Sequence, residues 1–328
     1  MTRVRAQGSA SSGGIPAFGP PAVSEENARR FLVARFGAEI SIPAPLRQGV
    51  WSSAYRFRHE AKDYVIRFSA FGDDFEKDRL AAQYSSPDLP IPSVVEVGAA
   101  DTGHYAVSEW IRGDHIDSLD GEGMRSVLPA LFAALDAARN VDLSSFSGYG
   151  PWDGEGRGLH RTWREALLAV AIDRPAGRTP GWRAGLQASP HAAAFDEAFE
   201  RLARLVDRCP EERHLVHSDL LHFNVLVTGS RISAVLDWGS SIYGDFLYDL
   251  AWLAFWSPWY PAWSGIDFGR EATAHYEAVG LFVPDLPDRL RAYEIHIGLD
   301  ALAWYAFRGD SQNLEAAALR TLELARGG

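Results

Sequence analysis

The chain has 328 residues, 47% of them hydrophobic and 23% charged, with a formal net charge of −11 and one cysteine, Cys209. That length can fill two sizeable cores. The acid excess argues against nucleic acid or an anionic membrane as partner and suits a cationic small molecule. A lone cysteine excludes an intrachain disulfide and fits a reducing compartment. The longest apolar stretch, Leu250 to Trp263, is too short to span a bilayer and is broken by Pro258 and Pro261. With no signal-type hydrophobic region in view, the expectation is a cytoplasmic monomer.

Residues 1–22, rich in Gly, Ser, Ala and Pro, read as a disordered extension. Ser24 is placed to cap a helix running through Phe36. A strand-rich lobe over 23–112 follows. Leu46 to Phe57 reads as strand, loop, strand, in which Gly49, Ser52 and Ser53 offer backbone N–H groups and hydroxyls to phosphates. Tyr64–Phe68 is a strand and Phe75–Tyr84 a helix. Beyond Leu89-Pro90-Ile91-Pro92 come strands Val94–Val97 and Tyr105–Trp110. Gly113 opens a second, mainly helical lobe over 113–328. Val127, Leu128, Leu131, Leu135 and Ala138 keep a helical period between Met124 and Asn140. Ser147–Gly158 reads as a Gly-rich loop bordering an acceptor site, Trp163–Ile172 as a helix and Pro175–Pro190 as loop. Phe195, Phe199, Leu202, Leu205 and Val206 line one face of another helix.

The most informative stretch comes next. Apolar Leu215-Val216 leads into His217-Ser218-Asp219, and Asn224 precedes a hairpin of Val225–Val227, Gly229-Ser230 and Ile232–Leu236 that ends at Asp237. An acid on a loop can take a proton from a hydroxyl, with His217 beside Asp219 in the catalytic pair. An amide and a second acid brought back by a hairpin supply hard oxygens for Mg2+, which needs few protein ligands when phosphate provides the rest. Further on, Trp252, Trp256, Trp259 and Trp263 step by four, three and four, but Pro258 and Pro261 stop one helix from carrying them all. Trp252 is assigned to the core, Trp256 and Trp259 to stacking on sugar faces. The last helices, Arg289–Phe307 and Asn313–Ala325, bring Glu294, read as a surface charge, and Asp300, read as a partner for an ammonium group.

HSDLLHFNVLV followed by LDWG resembles the aminoglycoside phosphotransferase family, a small-molecule branch of the protein-kinase-like fold. KDR with LPIP, DLSSFSGYGP with TWRE, FWSPW and RLRAYEIHIGLD extend the likeness from about Ser24 to about Asp310, toward kinases of hygromycin-type aminocyclitols. The resemblance implies an α+β bilobal fold: an antiparallel sheet lobe with a helix, then a larger helical lobe. It implies Mg2+ with ATP or GTP and transfer of the γ-phosphate to a hydroxyl of a cationic antibiotic, conferring resistance. It assigns Arg67 to the α and β phosphates, where relatives use lysine. It pairs Asp78 (or Glu76) with Arg67, puts the adenine edge at Ser108, Glu109, Trp110 and Ile111, and makes Asp249 a support for the catalytic loop. Asp300 falls in the matched GLD stretch. Two readings compete: a kinase of another natural product or metabolic alcohol, and a nucleotide-binding pseudokinase. The departures are Arg67 and the bulk of Leu220-Leu221-His222-Phe223 beside Asp219, where His222 is read as structural.

Overall fold

The structure, a computed structural model, describes residues 23–47, 49–101 and 103–327, so the expected N-terminal extension lies outside the described residues. Helix α1 (Glu25–Phe36) starts where the sequence puts it: the Ser24 hydroxyl accepts the Asn27 N–H, and Glu25 and Glu26 complement the positive helix end. Strands β1 (Ala44–Pro45), β2 (Ser52–His59), β3 (Lys62–Ser69), β4 (Val94–Ala100) and β5 (Gly103–Glu109) form an antiparallel sheet in the order β1-β2-β3-β5-β4. Side chains alternate across it. Tyr55, Phe57, Ile66, Phe68, Tyr105 and Val107 pack under Ala28 and Leu32 of α1 as a small core. Arg67, paired with Ala54 and Ala106, stands on the other face. There it meets helix α2 (Gly72–Ala81), which begins before the expected Phe75 and ends in a 3-10 turn, Ala82–Tyr84.

Beyond Glu109 the chain crosses to the second lobe, where β6 (Asp114–His115) pairs with β10 (Val225–Thr228). The crossing is tight: a Cβ on Gly113 would meet the Ser233 hydroxyl at 2.5 Å and the Val227 carbonyl at 2.9 Å. Helix α3 (Gly121–Arg139) follows. The stretch expected as a Gly-rich loop instead holds β7 (Tyr149–Trp152) and β8 (Gly158–His160). They join β9 (His214–Val216) and β12 (Ile242–Gly244) in the order β8-β7-β12-β9, and Gly154 packs against Glu76 of α2. The hairpin is therefore sheet structure packed on α2 rather than loop. Helices α4 (Trp163–Leu168), α5 (Trp182–Gln187) and α6 (Ala192–Leu205) lead to β9, with α5 inside the segment expected to be loop.

β10 and β11 (Arg231–Val235) form the expected hairpin, turning at Gly229 with φ +59°. Helix α7 (Leu247–Trp256) stops before Pro258, and two 3-10 turns carry Trp259 and Trp263. Helices α8 (Phe268–Ala278), α9 (Leu286–Arg308) and α10 (Ser311–Arg326) complete the lobe. α9 is its axis, packed by α5, α6, α7 and α10. Glu294 of α9 is not a free surface charge: it lies 3.4 Å from Arg320, and burial pushes its pKa up to about 7. Among the described residues no helix is long and apolar enough to cross a membrane.

One ion pair is sealed inside this lobe. The Arg289 guanidinium donates to both oxygens of the fully buried Asp245 at 2.9 and 2.8 Å. The Tyr293 hydroxyl also donates to Asp245 and accepts the Trp163 indole N–H. Removing one partner leaves a charge that cannot reach water, which costs roughly 3–5 kcal/mol. Arg289→Met alone is expected to lower unfolding stability by about that much in urea titrations. Adding Asp245→Leu should recover part of the loss, because the stranded carboxylate is then gone.

Candidate active site

Between β9 and β10 the backbone takes left-handed conformations at three non-glycine residues: Ser218 (φ +60°), His222 (φ +61°) and Phe223 (φ +77°). Such geometry persists only where neighbours over-determine it. Two carboxylates do so. Asp249 of α7 accepts the N–H groups of His217 and Ser218 at 2.8 and 2.7 Å. Asp117, on the 3-10 turn Ile116–Ser118, accepts those of His222 and Phe223 at 2.9 and 3.0 Å, together with the Tyr260 hydroxyl at 2.6 Å.

His217 corrects the sequence reading. It is buried, its Nε2 donates to the Leu236 carbonyl at 2.7 Å, and its Nδ1 accepts the Asp219 N–H at 3.2 Å. Both ring nitrogens serve the backbone, so the imidazole shapes the loop and takes no proton from a substrate. Asp219 is differently placed. One carboxylate oxygen lies 2.8 Å from His222 Nδ1 and the other accepts the Asn224 amide N–H at 3.1 Å. Burial raises its pKa, with His222 and His217 opposing the shift. Its side chain keeps 28% of its exposure, so a hydroxyl can approach it.

The second half of the site hangs on α2. Asp237 is left-handed (φ +59°, ψ +64°), and the Leu236 N–H bonds the Asn224 carbonyl at 2.7 Å, which sets Asp237 beside Asn224. Arg67 ion-pairs with Asp78 and lies 3.5 Å from Asp237. The other oxygen of Asp78 accepts the Trp238 N–H at 2.7 Å. Asp78 is thus the partner of Arg67, while Glu76 pairs with Arg79 at the surface. Next to Asp78, buried Lys77 donates to the carbonyls of Gly239 and Ser241 at 2.8 and 3.1 Å, and burial pushes its pKa down to about 8. Lys77 and Asp117 were missed in the sequence. Lys77 sits in the quoted KDR stretch, but Asp117 lies a hundred residues from the loop it holds and carries no local signal.

Several expectations need correction. Ser52 and Ser53 are adjacent strand residues, so they cannot face the same way. Ser52 pairs with Ser69 on the Arg67 side of the sheet, near Gly49. Ser53 is buried toward α1, and its hydroxyl accepts the Val23 N–H at 3.2 Å, which removes it from the phosphate side. In the hinge, the N–H of Glu109 goes to the Ser93 carbonyl and that of Trp110 to the Asp63 carbonyl, while Ser108 lies inside the sheet. The Ile111 N–H donates to no group among the described residues and stays available to a base edge. Trp256 is 6% exposed, boxed by Trp252, Phe255 and Trp259, so it offers no open face for a sugar. Trp259 and Trp252, the latter expected in the core, are half-buried.

Asp300 of α9 is open to solvent, yet the protein around its carboxylate, with the charge of Asp219 second, pushes its pKa up to about 6. The charge of Asp219 is thus felt at Asp300. Among the described residues no three His, Cys, Asp or Glu side chains gather to hold a metal ion. Asp237, half exposed, and Asn224, tied to the preceding residue through the Leu236 N–H, could together offer two oxygens to Mg2+ with phosphate oxygens completing its shell.

A loop acid paired with an amide, a second acid after a hairpin, and an arginine oriented by a helix acid match a known plan. The family model described as "Phosphotransferase enzyme family" covers residues 44–293. The chain belongs to this phosphotransferase family. The chain is 32% identical to the hygromycin-B 4-O-kinase of Escherichia coli over 284 residues, 86% of this chain and 80% of that one. The structure of a thermostable mutant of the aminoglycoside phosphotransferase APH(4)-Ia, in ternary complex with AMP-PNP and hygromycin B, superposes with a TM-score of 0.80 at 32% identity. That match covers 90% of this chain and 97% of the other. The GDP and kanamycin complex of a 2″-phosphotransferase, at 13% identity and TM-score 0.64 over 91% of this chain and 98% of its own, shares the fold. As an aminoglycoside phosphotransferase of the kinase-like fold, the chain has the sheet lobe and helical lobe that its motifs implied.

The geometry separates binding from chemistry. Asp219→Asn keeps the size and the Asn224 contact but cannot take a proton. Phosphoryl transfer is expected to fall by more than about a hundredfold with nucleotide affinity retained, measured by product formation against nucleotide titration. Asp237→Ala should raise the Mg2+ needed for nucleotide binding by roughly tenfold or more, and Asn224→Ala by less, since a carboxylate brings charge as well as an oxygen.

Proposed function

We propose that the protein transfers the γ-phosphate of ATP or GTP to a hydroxyl of hygromycin B or a close aminocyclitol. The observation that carries the reading is the loop carboxylate of Asp219, part-exposed and held between His222 and Asn224, with its charge felt at the exposed Asp300 of α9. A cationic, hydroxyl-rich acceptor can set an ammonium group on Asp300 while presenting a hydroxyl to Asp219. The relatives bound to hygromycin B support the same choice.

In this reading Asp219 accepts the hydroxyl proton as the acceptor oxygen bonds the γ-phosphorus. The bond to the bridging oxygen breaks in line, and the nucleoside diphosphate leaves. Arg67, fixed by Asp78, neutralises the phosphates. Asn224 and Asp237 would hold Mg2+, which when bound would offset the charge of the phosphate tail. Ile111 donates its N–H to the purine. Both substrates meet in the cytoplasm, where nucleotide is supplied.

Expression in a sensitive bacterium is expected to raise tolerance to hygromycin B, and Asp219→Asn to abolish the gain. Absence of both tolerance and a phosphorylated product by mass spectrometry would move the search to neutral or nucleoside acceptors. Acceptor binding should also follow the ionisation of Asp300, whose pKa the surrounding protein pushes up to about 6. The carboxylate attracts an ammonium group only when ionised, so the acceptor KM should hold steady above that pH and rise as pH falls through it. Asp300→Asn should raise KM and flatten that rise without changing nucleotide affinity. Salt should raise KM as well, since the Debye length shrinks from about 14 to about 4 Å between about 0.05 and 0.5 M.

A further inference from the structure

Proton abstraction, metal binding and phosphate binding leave His222, beside Asp219, without a task. It is also heavily restrained. Its backbone is left-handed at φ +61°, where a bulky residue is costly, and its N–H is bound by Asp117 at 2.9 Å. Its ring stands edge-on to Trp252 and Trp256, with centroids 6.0 and 5.3 Å away and interplanar angles of 89° and 79°. Nδ1 then falls 2.8 Å from Asp219 Oδ1. A turn alone does not call for an imidazole here; glycine or asparagine would be easier.

The Asp219 carboxylate is held from both ends. His222 donates to Oδ1 and Asn224 to Oδ2, so its plane cannot rotate freely. Each carboxylate oxygen has two lone pairs, so one on Oδ1 remains for an acceptor hydroxyl while the other keeps the imidazole. The indole nitrogens of Trp252 and Trp256 are buried and have no hydrogen-bond partner among the described residues, so these rings act on His222 through packing.

We propose that His222 is a positioning residue for the phosphoryl-transfer reaction: wedged by Trp252 and Trp256 and tethered by Asp117, it fixes the carboxylate of Asp219 at the angle that meets the acceptor hydroxyl. The inference rests on Asp219 being the base. Its magnitude follows from geometry, since misplacing reacting groups by about 1 Å costs on the order of a hundredfold in rate.

The test compares wild type with His222→Ala, His222→Leu and His222→Asn, following ADP release with and without hygromycin B. Asparagine puts an N–H donor close to the Nδ1 position and tolerates the left-handed backbone. Leucine keeps bulk against the indoles but cannot donate. His222→Ala and His222→Leu are expected to lose roughly tenfold or more in kcat with nucleotide KM unchanged, and His222→Asn to recover most of that loss. Full turnover in His222→Leu, equal loss in the leucine and asparagine variants, or a parallel change in nucleotide KM overturns the proposal. If His222→Ala does not fold, the leucine–asparagine comparison decides alone. If hygromycin B fails to stimulate wild-type ADP release, the acceptor assignment fails by itself, and the variants are read on basal hydrolysis through the same carboxylate.

Discussion

The site depends on four backbone N–H groups taken by two carboxylates. Asp249 holds the start of the loop at His217 and Ser218, and Asp117 holds its end at His222 and Phe223. A charged acceptor makes a stronger bond to an N–H than a neutral one does, and each carboxylate spans two consecutive donors. That offsets the cost of left-handed backbone at residues other than glycine and leaves the loop little freedom. The side chains of Asp219 and Asn224 inherit that rigidity. Desolvation raises the pKa of Asp249, and His217 together with the N–H groups it accepts opposes that shift.

The two lobes meet through a second set of acids and bases. Asp78 touches Arg67 of the sheet with one oxygen and the backbone of Trp238 with the other, while Lys77 grips Gly239 and Ser241. Arg67, assigned to the phosphates, and the Asp237–Ser241 segment, proposed for the metal, are therefore registered on one turn of α2. Three longer-range contacts close the gap between the lobes. Arg47, on the β1–β2 loop, lies over the ring of Phe223 at 3.4 Å. Trp51 of the same loop packs 5.7 Å from Trp304, one turn beyond Asp300 on α9. Arg178 reaches Asp74 of α2 and lies over Phe71. The loop that would cover a nucleotide thus touches both the loop bearing Asp219 and the helix bearing Asp300.

The sequence by itself determined the chemistry and the lobe order. His-x-Asp with Asn five residues after the acid, and a hairpin returning to Asp237, needs no partner from elsewhere to be read, because the hairpin turn at Gly229 and its alternating strands set the return locally. The same holds for the Ser24 cap and for the end of α7 before Pro258, where a single residue's backbone chemistry decides. What only the tertiary structure decided is which neighbours those residues have. Ser53 lost its phosphate role to strand alternation, and His217 became a spacer once both ring nitrogens met backbone groups. Trp256 is buried and Trp252 half-buried because a helical period gives a face but not its depth. Asp117 and Lys77 gained roles through contacts with residues more than a hundred positions away. Local preferences act over a few residues and are written in the chain, whereas burial and the partner of a charge depend on how distant segments fold together.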